Sequence, residues 1–211
     1  MAPNPFFVSP SHHPLSIGGN LSKLYFRYST MGAGKSLQLI AAAHNYLERN
    51  MGVMLFNFRG DNRFGENKIA SRTGLQMDSI PFDNSTNFEK GLEELFNSGQ
   101  KPDAIFVDEA QFLTEVQVKD LHDISVTRSI PILAYGLRTD FLGRLFEGSQ
   151  ALMAHAESIE ELKTICFCGK KATHVLRFSD GKVCKDGDVV QIGNDEYTSV
   201  CYPCFKRSME C

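Results

Sequence analysis

Eight consecutive residues, Ser29-Thr30-Met31-Gly32-Ala33-Gly34-Lys35-Ser36, have the types and spacing that grip phosphate. They fit G-x-x-x-x-G-K-[ST] at every defined position except the first, where Ser29 replaces glycine. Small residues let backbone N–H groups turn inward on phosphate oxygens, and a helix starting at Lys35 would present its positive N-terminal end to them. Lys35 can then reach β- and γ-phosphate oxygens, and the Ser36 hydroxyl can ligate Mg²⁺. The Cβ of Ser29 requires that its backbone avoid strongly positive φ. A G-K-S string also arises by chance before ordinary helices, so context decides. Here Ala104-Ile105-Phe106-Val107, a continuous apolar run, ends in Asp108-Glu109. An Asp in that place holds Mg²⁺ through water beside a phosphate loop. Glu109 would activate water in a hydrolase; in a kinase it would accept the proton of a hydroxyl attacking the γ-phosphoryl group.

The elements needed to position these residues are legible around them. Leu24-Tyr25-Phe26-Arg27-Tyr28 reads as a strand, and the stretch from Lys35 to about Asn50, free of Gly and Pro, as a helix stopped by Gly52. Val53–Phe58 reads as a second buried strand, followed by a polar loop with Gly60 and Gly65. Asn87–Asn97 and Glu115–Ile124 read as helices and Ile132–Tyr135 as a strand. Strands apolar on both faces and alternating with helices imply an α/β fold, a parallel sheet flanked by helices. Near Thr164 helical periodicity gives way to Cys, Gly and short alternating segments, which predicts a domain boundary. The expected division is a flexible tail at 1–22, a phosphate-loop domain at 23–163 and a cysteine-bearing domain at 164–211.

The whole-chain composition narrows the function classes. The 211 residues are 42% hydrophobic and 22% charged, with a formal net charge of −3 and no basic block. This argues against binding a nucleic-acid backbone, which needs dense Lys and Arg. No apolar run approaches the ~20 residues that span a bilayer, so no membrane association is expected. Met1–Asn20 has no Lys or Arg and no sustained apolar segment, unlike a secretory signal. A cytoplasmic protein is therefore expected. Asp108-Glu109-Ala110-Gln111 also occurs in helicases, but those need two such domains and only one fits before the cysteine region. A nucleic-acid-stimulated ATPase with a zinc-ribbon module is the alternative, and Lys163, Lys170, Lys171, Lys206 and Arg207 offer it only a modest basic cluster.

Cys166-Phe167-Cys168 and Cys201-Tyr202-Pro203-Cys204 form two close pairs. In a cytosolic chain such pairs point to metal, each presenting two thiolates to one tetrahedral Zn²⁺. Four thiolates with no open position mean a structural site; a redox pair is the competing reading. His174 is a nearby alternative ligand, and Cys184 and Cys211 read as ordinary thiols. Phe167–Val200 has several glycines and little apolar mass, so pinning its ends on a metal would lower the cost of ordering it.

Several strings follow one another in the order of a known family. They are Leu24–Met31 running into Gly34-Lys35-Ser36, Asp61-Asn62-Arg63, Asp108–Phe112, Tyr135–Phe141, Leu145–Gly148, Thr164–Thr173 and Tyr197–Cys201. Together they resemble the type II, zinc-containing thymidine kinases across about Leu24 to Cys204. The resemblance implies a P-loop NTPase-type parallel sheet with a small C-terminal zinc-binding domain carrying a lasso loop. It implies transfer of the γ-phosphoryl group of ATP to the 5′-hydroxyl of thymidine, with deoxyuridine as a slower substrate. Glu109 would be the general base, with Lys35 and Arg63 facing the transferring phosphates. ATP and Mg²⁺ would be held by Ser29, Thr30, Met31, Gly32, Ala33, Gly34, Lys35, Ser36, Asp61, Asp108 and Gln111. Met31, Phe112, Leu137 and Phe141 would wall the nucleoside, with Ile192, Gly193 and Tyr197 from the lasso. Zn²⁺ would sit on Cys166, Cys168, Cys201 and Cys204. The resemblance also implies a homotetramer and feedback inhibition by thymidine triphosphate. Apolar side chains in a chain this hydrophobic are ordinarily core; Phe141, in a polar Gly-bounded loop after a strand, is the best exception. Ile192-Gly193-Asn194-Asp195-Glu196-Tyr197 is one residue and one Gly shorter than the family's usual lasso.

Overall fold

The computed structural model describes residues 22–61, 65, 67–187 and 196–210. The expected tail up to residue 21, Arg63, Ile192, Gly193 and Cys211 lie outside these. β1 (Leu24–Ser29) leads through the glycine-rich loop into α1 (Lys35–Leu47), and β2 (Val53–Phe58) follows. β3 (Lys68–Ala70) and β4 (Gln76–Asp78) form a small antiparallel pair, and β5 (Ile80–Phe82) returns to the main sheet. Then come α2 (Phe88–Asn97), β6 (Ala104–Val107), a 3-10 turn (Ala110–Phe112), α3 (Glu115–Thr127), β7 (Ile132–Leu137), α4 (Glu147–His155) and β8 (Ser158–Glu161). The six strands pair in parallel in the order β5-β2-β6-β7-β1-β8.

The sheet has two apolar faces because its strands alternate between two covers. On β6, Ala104 and Phe106 join Leu39, Ile40 and Ala43 of α1, while Ile105 and Val107 join Leu92, Val118, Leu121 and Leu152 from α2, α3 and α4. Burial on both sides explains why the central strands read as unbroken apolar runs. Thr114 starts α3 with a reciprocal capping box to Gln117, whose amide also donates to the carbonyls of Asp83 and Thr86.

Several expected boundaries shift. α1 stops at Leu47 rather than about Asn50, because Asn50 turns into the left-handed region at φ 56°. β7 runs two residues past Tyr135, to Leu137, and α3 extends to Thr127. The polar loop after β2 contains β3 to β5, and α4 and β8 were not foreseen. β8 is an edge strand reading Ser-Ile-Glu-Glu, too polar to announce itself.

The C-terminal part is a three-stranded antiparallel sheet, β9 (His174–Ser179), β10 (Lys182–Val183) and β11 (Glu196–Val200), in the order β10-β9-β11, followed by α5 (Tyr202–Glu210). It packs its own small core of Ala172, Leu176, Val200 and the buried cysteines. No helix among the described residues is long and apolar enough to cross a membrane.

Candidate active site

Parallel pairing places the C-terminal ends of β1, β7 and β6 side by side, and the polar residues gather there, as ligand sites do in open α/β sheets. Gly32 and Gly34 carry the positive φ values of the phosphate loop, 73° and 80°. Ser29 instead ends β1 in extended backbone, so the conformational argument for glycine does not apply to it. Its hydroxyl donates to Thr30 O at 2.7 Å and accepts from Lys35 Nζ at 3.2 Å, and Lys35 also donates to Thr30 O at 3.2 Å. Lys35 is buried, the first residue of α1, held back against the loop that precedes it.

Ser36 and Asp108 come together from the two sides of this edge. The Ser36 hydroxyl donates to the Asp108 carboxylate, which also accepts the backbone N–H of Glu109 at 3.0 Å. Asp108 is 3% exposed; burial, then the neighbouring Glu109 charge, pushes its carboxyl up to about 7 against the pull of those hydrogen bonds and of Lys35. A hydroxyl and a carboxylate brought together beside a phosphate loop are hard oxygen ligands of the kind Mg²⁺ takes. Asp61 lies in the turn after β2, its N–H donating to Phe58 O at 2.9 Å.

Glu109 adopts a left-handed backbone at φ 51°, unusual for a residue with a side chain and characteristic of functional turns. Its carboxylate accepts a hydrogen bond from the Gln111 amide, whose Oε1 accepts the Leu137 N–H at 2.9 Å. Gln111 is 2% exposed, so this bridge is enclosed. Two glycines make room for the turn. A Cβ on Gly136 would stand 2.9 Å from Gln111 N and Oε1, and one on Gly148 would stand 2.6 Å from the carbonyl oxygens of Ala110 and Leu113. Ser149 completes the frame by donating to Leu137 O at 2.5 Å.

The expected nucleoside residues fall near the same edge in different states. Phe112 is half-buried and stacks on Phe58, ring centroids 4.3 Å apart. Leu137 is half-buried at the end of β7. Phe141 is nearly enclosed, in a turn whose Asp140 carboxylate accepts from the N–H groups of Leu142 and Arg144. Tyr197 lies on β11, half-buried and hydrogen-bonded to Arg177. Three contacts were missed by sequence reasoning. Ser199 donates to Met31 O at 2.6 Å, Arg138 donates to Thr173 O at 2.9 Å, and Arg177 lies over the Phe141 ring. The first two tie the C-terminal sheet to the phosphate-loop edge. Ser199 could have been found as the residue sharing a strand face with Tyr197.

The four cysteines converge. Sγ atoms of Cys166, Cys168, Cys201 and Cys204 all lie within 4.8 Å of one another, Cys168 and Cys201 at 3.5 Å. A tetrahedral Zn²⁺ with ligands at about 2.3 Å sets its sulfurs about 3.8 Å apart, so the cluster fits a four-thiolate metal. Desolvation opposes ionising the Cys166 thiol, but N–H groups of Cys168 and Cys201 and the neighbouring thiols bring it down to about 6. Desolvation and the same neighbours push Cys204 up to about 12. His174 is not part of the cluster; its ring packs against Phe205, centroids 4.7 Å apart, and its Nδ1 meets the Thr173 hydroxyl.

Comparisons with known proteins show which family the chain belongs to. The chain is 48% identical over 194 residues to a thymidine kinase of Rhodopirellula baltica, covering 90% of each chain. It is 49% identical over 183 residues to a thymidine kinase of Haemophilus influenzae, covering 86% of this chain and 94% of that one. A thymidine kinase of Rhizobium meliloti is 48% identical over 184 residues, covering 86% and 94%. The family model described as Thymidine kinase matches residues 22–205, and this chain belongs to that family.

Proposed function

We propose that the protein transfers the γ-phosphoryl group of ATP to the 5′-hydroxyl of thymidine, giving thymidine monophosphate and ADP. The observation that carries the reading is the meeting of Lys35, Ser36, Asp108 and Glu109 at one sheet edge, with the Tyr197 strand tied to it through Ser199 and Met31. Backbone N–H groups from Gly32 to Ser36 bind the phosphates, and Lys35 leaves its loop acceptors for the β- and γ-phosphate oxygens. Ser36 and Asp108 would hold Mg²⁺, with Asp61 assisting its shell; the ion would supply the positive charge that offsets the transferring group. Glu109 takes the proton from the 5′-hydroxyl as that oxygen attacks in line. Gln111, given a nucleotide-binding role from the sequence, acts here by aiming Glu109, since its amide spans Glu109 and Leu137. Arg63 adds fixed positive charge toward the phosphates.

Met31, Phe112, Leu137, Phe141 and Tyr197 enclose the nucleoside, and the family resemblance assigns Ile192 and Gly193 to it as well. Excluding water there protects the γ-phosphoryl group from hydrolysis. The thiolates of Cys166, Cys168, Cys201 and Cys204 hold a structural Zn²⁺ that pins residues 167–200. The 23–163 and 164–211 division, a homotetramer, feedback by thymidine triphosphate and a cytoplasmic location complete the reading. Its test is incubation with ATP, Mg²⁺ and a panel of nucleosides. Thymidine should be the best acceptor and deoxyuridine slower by a factor reflecting one methyl group, ~1–3 kcal/mol at most. No monophosphate from thymidine, with ATP hydrolysis stimulated by DNA, would overturn it.

A further inference from the structure

Arg177 lies on β9, the central strand of the C-terminal sheet, and is only 4% exposed. A guanidinium is buried at high cost unless its N–H groups are engaged, so its partners carry information about what it holds. Its carbon stands 4.0 Å from the centroid of the Phe141 ring, close for a cation over an aromatic face. Its remaining described partners flank residues 188–195 on both sides. Nη2 donates to Asp186 O at 3.2 Å, the Cys184 sulfur accepts from the same guanidinium, and so does the Tyr197 hydroxyl across on β11. Gly187 passes so close, at φ 109°, that a Cβ there would stand 2.7 Å from Nη2. One planar group thus touches the turn after β7, the chain leaving β10 and the start of β11.

We infer that Arg177 is a positioning residue for nucleoside binding, setting Phe141 and Tyr197 in fixed relation to each other. The inference rests on the thymidine kinase reading, in which those two side chains touch the nucleoside. A planar fork can stack on a ring and donate sideways at once; an ammonium keeps the charge but cannot do both. Removing Arg177 therefore loosens the nucleoside end of the site and leaves the phosphate loop, with which it shares no hydrogen bond among the described contacts, as it was.

The test is steady-state kinetics of the full chain with Arg177→Met and Arg177→Lys, varying thymidine and ATP separately. Metal content and unfolding temperature are measured alongside. Arg177→Met should raise the thymidine KM about tenfold, the order expected for a desolvated cation–aromatic contact, with the ATP KM changed less than about twofold. Arg177→Lys should fall between the two. Combined with Phe141→Leu, the thymidine effects should be less than additive, since both changes break the same contact. Equal rises in both KM values, or full additivity with Phe141→Leu, would overturn the inference. Should Arg177→Met fail to fold, Arg177→Lys decides, and an unchanged thymidine KM in that variant refutes the role. An active wild type with an indifferent Arg177→Met removes this inference alone, whereas a wild type making no thymidine monophosphate removes the reading beneath it.

Discussion

Asp108→Asn should stabilise the nucleotide-free protein while disabling it. The Asp108 carboxyl ionises at about 7 in the folded chain, against an ordinary 3.8, because it is buried beside Glu109. The unfolded chain releases that proton near 3.8, so between the two values folding takes up a proton. Stability falls as pH rises through this window and levels off above the folded value. At about 1.36 kcal/mol per pH unit, the gap from 3.8 to about 7 amounts to roughly 4 kcal/mol, and the part above pH 5.5 to roughly 2 kcal/mol. Asparagine has nearly the same shape and keeps an oxygen to accept from Ser36 or from the Glu109 N–H, but it carries no charge. The stability difference between variant and wild type should therefore move in favour of the variant by about 2 kcal/mol from pH 5.5 to pH 8. For a chain of this size that is a relative gain of roughly 4–8 °C in unfolding temperature. The assay is thermal or urea unfolding of both proteins at the two pH values, in buffer free of nucleotide and Mg²⁺. Groups far from Asp108 titrate identically in both and cancel. A difference independent of pH, or one that moves against the variant as pH rises, would refute the reasoning. Added Mg²⁺ and ATP should reverse the ranking, because only the wild type has the carboxylate that gains from the ion.

The remaining predictions separate chemistry from support. Glu109→Gln should lower kcat by about 10²–10⁴ with ATP affinity retained in a direct binding measurement. Gln111→Leu should lower kcat by about 10² through misplacement of Glu109, again with ATP affinity retained, and no loss of kcat would show that the bridge to Leu137 is idle. Gly148→Ala should destabilise the protein by about 1–3 kcal/mol in urea unfolding, because its methyl meets backbone carbonyl oxygens at 2.6 Å. Cys168→Ser should bring bound metal, measured by elemental analysis, from about one ion per chain to near zero and raise the thymidine KM. Metal loss with unchanged thymidine binding would mean the cysteine cluster does not order the loop.

What the sequence announced was local in its physics. The phosphate loop and the Asp108 strand end are each written in one short run, where small residues, an apolar stretch and a terminal carboxylate follow in order. What it concealed depends on pairs distant along the chain. Gln111 meets Leu137 across 26 residues and Ser199 meets Met31 across 168, and neither member of either pair looks unusual alone. α4 hides for a related reason: Gly148 in its first turn lowers helix propensity, yet the position admits nothing larger against the Ala110 and Leu113 carbonyls.

Ser29 shows how a departure from pattern can carry information. Glycine at the first position of a phosphate loop matters where the backbone must turn left-handed, and in this chain the two left-handed turns come later, at Gly32 and Gly34. With Ser29 extended at the end of β1, a side chain costs nothing sterically, and its hydroxyl gives Lys35 an acceptor inside the loop. A buried ammonium without acceptors would lose its charge or leave the site. Ser29 and the Thr30 carbonyl together give the buried Lys35 ammonium two acceptors within the loop itself.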